Sequence, residues 1–166
     1  MFASCVAAQE ATLDVGARIR PVLNDSVQQA KDRRRVAMRR FVARTVGKHF
    51  GVMLSFIDRV HHLTEKLSAE EVPYQVGCSV SDFRKMVKSA TALMEESSVQ
   101  MAKAVVGQLG GGSPVQRDAL EACNSLVLSR YKLLETMART CYPSDAAAMI
   151  SSGQVAELLR AVRPIV

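Results

Sequence analysis

The segment DRVHHLTE carries the side chains with the most evident capacity for chemistry, Asp58, His61, His62 and Glu65. Residues three and four apart share a face of a helix, and imidazole and carboxylate groups are common metal ligands. A carboxylate-bridged di-iron bundle, however, needs a Glu-x-x-His motif on two helices and a carboxylate from two others, and the sequence has no second motif of this kind. We therefore predict that these residues are exposed and salt-bridged, and that the chain binds no metal.

Motifs that would indicate catalysis are missing from the sequence. It contains no H-E-x-x-H and no G-x-S-x-G, and its GGGSP segment lacks the Lys-Ser/Thr ending of a phosphate-binding loop. The four cysteines, Cys5, Cys78, Cys123 and Cys141, form no C-x-x-C pair, so we expect buried or unreactive thiols. We predict a protein that is not an enzyme, with no catalytic residues and no cofactor.

Binding of negative charge is the chemistry that the segment KDRRRVAMRRFVARTVGK, residues 31–48, indicates. It has eight basic residues and one acid, a net charge of +7, whereas the whole chain has a net charge of +6. Arginines clustered on a helix can bind phosphate through counterion release. They can equally bind an acidic protein surface or anionic lipid headgroups. The sequence therefore leaves protein, RNA or DNA, and lipid open as partners.

At 100° per residue this segment and the residues after it separate into two helix faces. The apolar face, which we expect in the core, consists of Met38, Val42, Val46, His49, Met53, Phe56, Ile57, Val60 and Leu67. The opposite face carries the predicted protein- or phosphate-binding residues, which are Arg33, Arg40, Arg44 and Lys48, with Phe41 beside them. Arg35 and Arg39 lie near the edge of the apolar face, where we expect them to form ion pairs within the chain.

Capping and turn residues divide the chain into helices. Residues 1–23 are predicted to form an N-terminal extension with a short helix that ends before Pro21, and residues 24–166 a single helical-bundle domain. The expected helices of that domain run from Val27 to about Leu67, from Ser79 or Ser81 to about Leu109, from a Ser113–Gln116 capping box to about Thr140, and onward from Ser151. The predicted fold class is all-α, an antiparallel helical bundle with one long basic amphipathic helix and short terminal helices.

Composition agrees with an all-α fold and bears on the compartment. The chain has no Trp, 5% aromatic residues and eight Met, which is typical of helices packed through aliphatic side chains. No signal peptide is evident at the start, so we expect an intracellular, reducing compartment, either cytoplasm or mitochondrion. The longest apolar run near the middle, VMLSFI, is far too short to span a membrane.

Residues 128–140, LSRYKLLETMART, resemble the opening helix of the LYR-motif family. Arg130, Tyr131 and Lys132 stand at the Leu-Tyr-Arg tripeptide of that family, and Leu133 and Leu134 follow as in its pattern. The first and third positions of the tripeptide differ from the family pattern. The resemblance implies a small mitochondrial protein that serves as a subunit or assembly factor of a respiratory complex.

The functional prediction is a noncatalytic structural or accessory subunit of a larger assembly, which acts through helix-mediated protein contacts. The alternative is a nucleic-acid-binding protein that uses the same arginines for phosphate contacts. Self-association is a further alternative, through a coiled coil formed by the row Val46, Phe50, Met53, Ile57 and Val60. Gly47 and Gly51, which share one side of the helix, would permit close approach of another helix.

Overall fold

The structure is a computed structural model that describes residues 2–110 and 112–162, with side chains from residue 24 onward. The described chain contains four α-helices, α1 (Phe2–Thr64), α2 (Val80–Leu109), α3 (Pro114–Cys141) and α4 (Ser152–Ala161). Short 3-10 helices at Val72–Tyr74 and Ala146–Ala148 lie in the connections, and no strand occurs in these ranges. The predicted all-α helical bundle is confirmed.

The chain separates into two compact units, Met1–Arg40 (unit 1) and Phe41–Val166 (unit 2). The predicted division into residues 1–23 and 24–166 stays a prediction. The expected end of a short helix before Pro21 and the expected helix start at Val27 are both wrong, because α1 is helical without interruption from Phe2 past both positions. A proline inside a helix removes one hydrogen bond and strains the preceding turn, and here the helix on either side outweighs that cost.

Serine capping boxes begin α2 and α4. At α2, the Asp82 amide donates to Ser79 Oγ at 3.1 Å, and the Ser79 amide donates to Asp82 Oδ2 at 3.2 Å. At α4, the Gln154 amide donates to Ser151 Oγ at 3.2 Å, and the Ser151 amide donates to Gln154 Oε1 at 2.8 Å. Each box satisfies backbone donors that a helix start leaves without partners, so both boundaries are encoded locally.

The start of α3 uses half of the predicted capping box. Ser113 Oγ accepts from the Gln116 amide at 3.1 Å, with Pro114 at the first helical position. The Gln116 side chain does not close the box, because its Oε1 accepts from the Gly112 amide at 2.7 Å instead. Gln116 is buried, so this bond fixes the end of the glycine-rich linker against α3.

An aromatic cluster joins α1, α2 and the end of α3 in unit 2. Phe83 and Tyr142 stack with their ring centroids 4.4 Å apart, and Phe56 lies 6.0 Å from Phe83 and 6.3 Å from Tyr142. The Tyr142 hydroxyl donates to the carbonyl of Cys78 at 2.6 Å. Because Phe83 opens α2 and Tyr142 follows α3, the two helices run antiparallel.

Two polar contacts hold α4 antiparallel to α3. The Tyr131 hydroxyl donates to the Ile150 carbonyl at 2.8 Å, and the Asn124 side chain donates to the Leu159 carbonyl at 3.5 Å. Later residues of α3 therefore meet earlier residues of the α4 region. Both acceptors are backbone groups at the two ends of α4, so these contacts fix its position along α3.

The core of unit 2 includes the apolar face predicted for α1. Six of its members are buried, Val42, Val46, Met53, Phe56, Ile57 and Val60. His49 and Leu67 are half-buried, as is Met38 in unit 1. The helix is kinked at Phe50, whose φ of −121° and ψ of 19° are not helical and whose side chain is buried. The 3.6-residue period therefore identifies the buried face but not the kink.

Candidate protein-binding surfaces

The predicted contact residues of unit 1 form the Arg33–Arg40 surface, named for its two members. Both side chains are exposed. Seven residues correspond to nearly two helical turns, so the two arginines lie on the same side of α1, about 10 Å apart along its axis. Arg34, Arg35 and Arg39 are exposed on the same helix, so positive charge surrounds this part of α1.

The described side chains of unit 1, residues 24–40, are all exposed except Asp32 and Met38, which are half-buried. Their polar contacts with one another are local, such as Arg35 with Asp32 at 3.1 Å and Gln28 with Asp32 at 3.3 Å. The predicted ion pair of Arg35 is confirmed, whereas Arg39 forms none among residues 24–162. Contacts of this kind contribute only a few tenths of a kcal/mol each, and residues 24–40 bury no apolar side chain.

The predicted contact residues of unit 2 form the Arg44–Lys48 surface, which comprises Phe41, Arg44 and Lys48. Arg44 and Lys48 are exposed and Phe41 is half-buried. The next residues around the helix, Val42 and Val46, are buried, so the separation of charged and apolar faces holds in this unit. Spacings of three and four residues put the three side chains on one face of α1.

The row proposed for a coiled coil serves a different purpose. Val46, Ile57 and Val60 have no exposed surface, and Phe50 and Met53 are only 6% and 3% exposed. These side chains pack inside unit 2. The alternative that this row mediates self-association is therefore wrong, because a second copy would have to displace the core of the unit.

The side chains with metal-ligand residue types are exposed, and Asp58 forms an ion pair with Arg130. Asp58 lies 3.6 Å from Arg130 of α3, and His62 lies 3.5 Å from Glu65. Lys66 Nζ also lies 3.1 Å from His62 Nε2. No cluster of three or more His, Cys, Asp or Glu side chains suited to a metal occurs in the part of the chain that the structure describes. These residues instead link α1 to α3 and close the end of α1.

A groove between α1 and α2 is a surface feature that the sequence did not indicate. It consists of two hollows of about 210 Å³ each, which share Val52. The first is lined by Lys48, His49, Phe50, Gly51, Val52, Met53, Ser89, Ala90, Leu93 and Ser97. The second is lined by Val52, Ser55, Phe56, Arg59, Gly77, Asp82 and Met86. We call this surface the α1–α2 groove.

Two apolar side chains that line the groove are exposed. Val52 is 68% exposed and Leu93 is 47% exposed. A Cβ atom added at Gly51 would meet nothing within 4 Å, and the same holds at Gly47. The two glycines therefore do not serve a close contact among the described residues. The spacing of the two glycines was evident from the sequence. The groove was not, because it depends on how α1 and α2 align side chains that are about forty positions apart, such as Val52 and Leu93.

His49 lines the first hollow and carries an unpaired polar atom. Its Nε2 is buried and has no hydrogen-bond partner in the described chain. Burial, with a smaller effect of the Lys48 charge, lowers the pKa of His49 below the usual 6.5. The imidazole is therefore neutral near pH 7, and a buried polar atom without a partner is uncommon in folded proteins.

The connection between α1 and α2 displays two further apolar side chains. Tyr74 is 87% exposed and Val76 is 98% exposed. The loop that carries them is well anchored, since Val72 and Cys78 are fully buried and Arg59 Nη1 donates to the Gly77 carbonyl at 3.1 Å. The sequence predicted a connection here but not which of its side chains face solvent.

None of the described helices is long and apolar enough to cross a membrane.

No family model matches the chain, so the resemblance of residues 128–140 to the LYR-motif family gains no support, and Tyr131 of that segment is buried. No solved structure matches the chain. The chain is similar to the exocyst complex component SEC3A of Arabidopsis thaliana, with 24% identity over 129 residues. The match covers 78% of this chain and only 14% of that relative.

Proposed function

We propose that the protein is a noncatalytic accessory subunit of a multiprotein assembly, bound to acidic surfaces of its neighbours through the Arg33–Arg40 and Arg44–Lys48 surfaces. The observation that carries the proposal is the exposure of residues 24–40. Helices in proteins gain most of their stability by packing an apolar face against other elements, and residues 24–40 bury no apolar side chain. A partner that buries part of this segment would stabilise the helix and neutralise its charge.

A protein partner is favoured over a nucleic acid by the side chains beside the arginines. Proteins that bind single-stranded nucleic acid stack bases on exposed aromatic rings, and residues 24–48 contain a single aromatic residue, Phe41, which is half-buried. The similarity to a component of the exocyst complex also supports a role in an assembly. The free thiols Cys78, Cys123 and Cys141 support an intracellular, reducing compartment.

The first experiment is size-exclusion chromatography with light scattering on protein purified from its native source, at low and high salt. A particle larger than the single chain that contains other polypeptides and no nucleic acid supports the proposal. A 260/280 nm absorbance ratio typical of nucleic acid, which disappears at high salt, favours phosphate binding instead. A single chain free of both refutes the proposal.

The second experiment reverses charge with a matched control. The double variant Arg40→Glu/Arg44→Glu should leave the assembly, whereas Lys103→Glu/Lys132→Glu, which changes the net charge equally at exposed sites of α2 and α3, should remain in it. Both variants should stay folded by circular dichroism, because substitutions at exposed positions usually change stability by less than about 0.5 kcal/mol. Retention of the Arg40/Arg44 variant contradicts the proposal, and its unfolding contradicts the assignment of these residues to the surface.

A further inference from the structure

We propose that the α1–α2 groove binds an amphipathic α-helix of a partner protein, and that this helix carries carboxylates at the end that meets Lys48. The site lies in unit 2 and differs from the Arg33–Arg40 surface. It extends the proposed function, since it assigns a separate surface and a specific kind of partner segment.

The length of the groove fits a short helix. From Lys48 to Arg59 the α1 side of the groove comprises twelve residues, and the eleven steps between the first and the last correspond to about 16 Å along a helix axis. A helix of about three turns covers that distance and would present apolar side chains at i, i+3, i+4 and i+7. The two hollows that meet at Val52 provide places for such side chains.

The floor and centre of the groove favour an apolar helix face. Gly51, Ser89 and Ala90 are small, and small side chains let two helix backbones approach closely. Val52, which lines both hollows, and Leu93, which lines the first, are apolar and exposed. Covering them would remove apolar surface from water at about 25 cal/mol per Å². The centre of the groove therefore has the character of an interface core with a polar margin.

The charges at the two ends of the groove differ and set the polarity of the partner. Lys48 lines one end, and Arg44 lies one helical turn before it; both side chains are exposed. At the other end Arg59 lies near Asp82, whose carboxylate also accepts from Ser79. At that end the Asp82 carboxylate stands between Arg59 and Lys85, whereas no carboxylate lines the hollow at the Lys48 end. Electrostatic complementarity places the partner's carboxylates at the Lys48 end.

His49 supplies a second, independent indication of an occupant. Its Nε2 is buried in the first hollow without a hydrogen-bond partner. A polar side chain at the acidic end of the incoming helix would supply that partner. A second copy of this chain is a poorer occupant, because residues 24–40 of α1 contain six basic residues against two acids and would be repelled by Lys48.

The test uses a synthetic probe on the full chain. A fluorescent, side-chain-stapled peptide of about 15 residues, with leucines on one face and two glutamates in one terminal turn, is compared by anisotropy with the same peptide carrying lysines in place of the glutamates. The glutamate peptide should bind at least about tenfold more tightly. Equal affinity for the two peptides overturns the proposal.

Variants then locate the binding site. Val52→Asp and Leu93→Asp, each measured alone, should weaken binding of the glutamate peptide about tenfold or more, and both should keep the helical circular dichroism signal because the side chains are exposed. Val27→Asp, at an exposed valine of α1 outside the groove, should bind normally. Normal binding by Val52→Asp or Leu93→Asp places the peptide elsewhere and overturns the proposal.

Two further measurements distinguish this proposal from the proposed function and from self-association. Arg33→Glu changes a residue that does not line the groove, so it should leave peptide binding unchanged even where it weakens the native assembly. Loss of peptide binding in that variant overturns the groove proposal but not the proposed function. Conversion of a dimer to a monomer by Val52→Asp, seen by light scattering, would make a second copy the occupant and also overturn it.

Discussion

The three tyrosines of the chain provide a graded test of the packing in unit 2, because each hydroxyl lies in a different environment. Tyr142 is 2% exposed and its hydroxyl donates to the Cys78 carbonyl at 2.6 Å. Tyr131 is 1% exposed and donates to Ile150 at 2.8 Å. Tyr74 is 87% exposed. Substitution by phenylalanine removes the hydroxyl and keeps the ring in each case.

The expected losses follow from what each hydroxyl leaves behind. Tyr142→Phe leaves the carbonyl of fully buried Cys78 without that donor, and an unsatisfied buried group costs about 1–3 kcal/mol. The stack with Phe83 is retained, so we expect a loss of about 2 kcal/mol, or roughly 4–8 °C in Tm for a chain of this size. Tyr131→Phe should cost about 1 kcal/mol, because half-buried Ile150 can turn to water. Tyr74→Phe should be neutral.

Urea unfolding followed by circular dichroism at 222 nm measures all three changes, with an unchanged m value as the condition for comparing them. Thermal scans then give the Tm shifts. The reasoning is refuted if Tyr142→Phe is as stable as the parent protein, or if Tyr74→Phe loses as much stability as Tyr142→Phe. In either case the cluster that joins α1, α2 and α3 would not have the hydrogen bond described above.

Three further predictions concern pH, backbone and thiols. Because the pKa of His49 is lowered in the folded protein, the unfolded chain binds the proton more readily, and the free energy of unfolding should fall as pH drops below about 6.5. His49→Gln should make the free energy of unfolding depend less on pH between about pH 7 and 5. Gly51→Ala should stabilise the protein by about 0.5–1 kcal/mol, because the added Cβ meets nothing within 4 Å. Gly77→Ala should destabilise the protein, because Gly77 has φ +75° and the added Cβ would collide with Arg59. Unfolding free energies in urea measure both. In Cys5→Ser protein the three buried thiols should react with Ellman's reagent only after denaturant is added. Cys123 is one of them, and burial raises its pKa to about 11.

Periodicity and capping chemistry predicted most of the fold because both are local. Val46, Ile57 and Val60 recur at helical spacing and are all fully buried, and Ser151 caps a helix as predicted. The sequence predicted that Pro21 would end a helix, but α1 continues through it. The cost of one proline inside a helix is local, whereas the helix is formed by the residues on both sides of it. The kink at Phe50 has no local signal beyond the neighbouring glycines.

The charged surface of α1 was also predictable from the sequence, since the hydrophobic period that defines a core face also defines the opposite face. Arg44 and Lys48 are exposed as that reasoning requires. The α1–α2 groove was not predictable. It places Val52 beside Leu93, and that alignment depends on the length of the connection and on the aromatic cluster, which a single sequence does not specify.

The glycine-rich linker before α3 marks a place where the order of the chain could be changed. The groups that begin α3 all lie after Gly110, from the Gly112 amide to Ser113 and Gln116, and α2 is already closed by the Gly110 amide donating to Val106. New chain ends introduced directly after Gly110 would leave both helix boundaries chemically complete. Circular permutation and the insertion of foreign sequence succeed at exposed positions of this kind, so a reporter domain or a new terminus placed in this linker should leave the bundle folded.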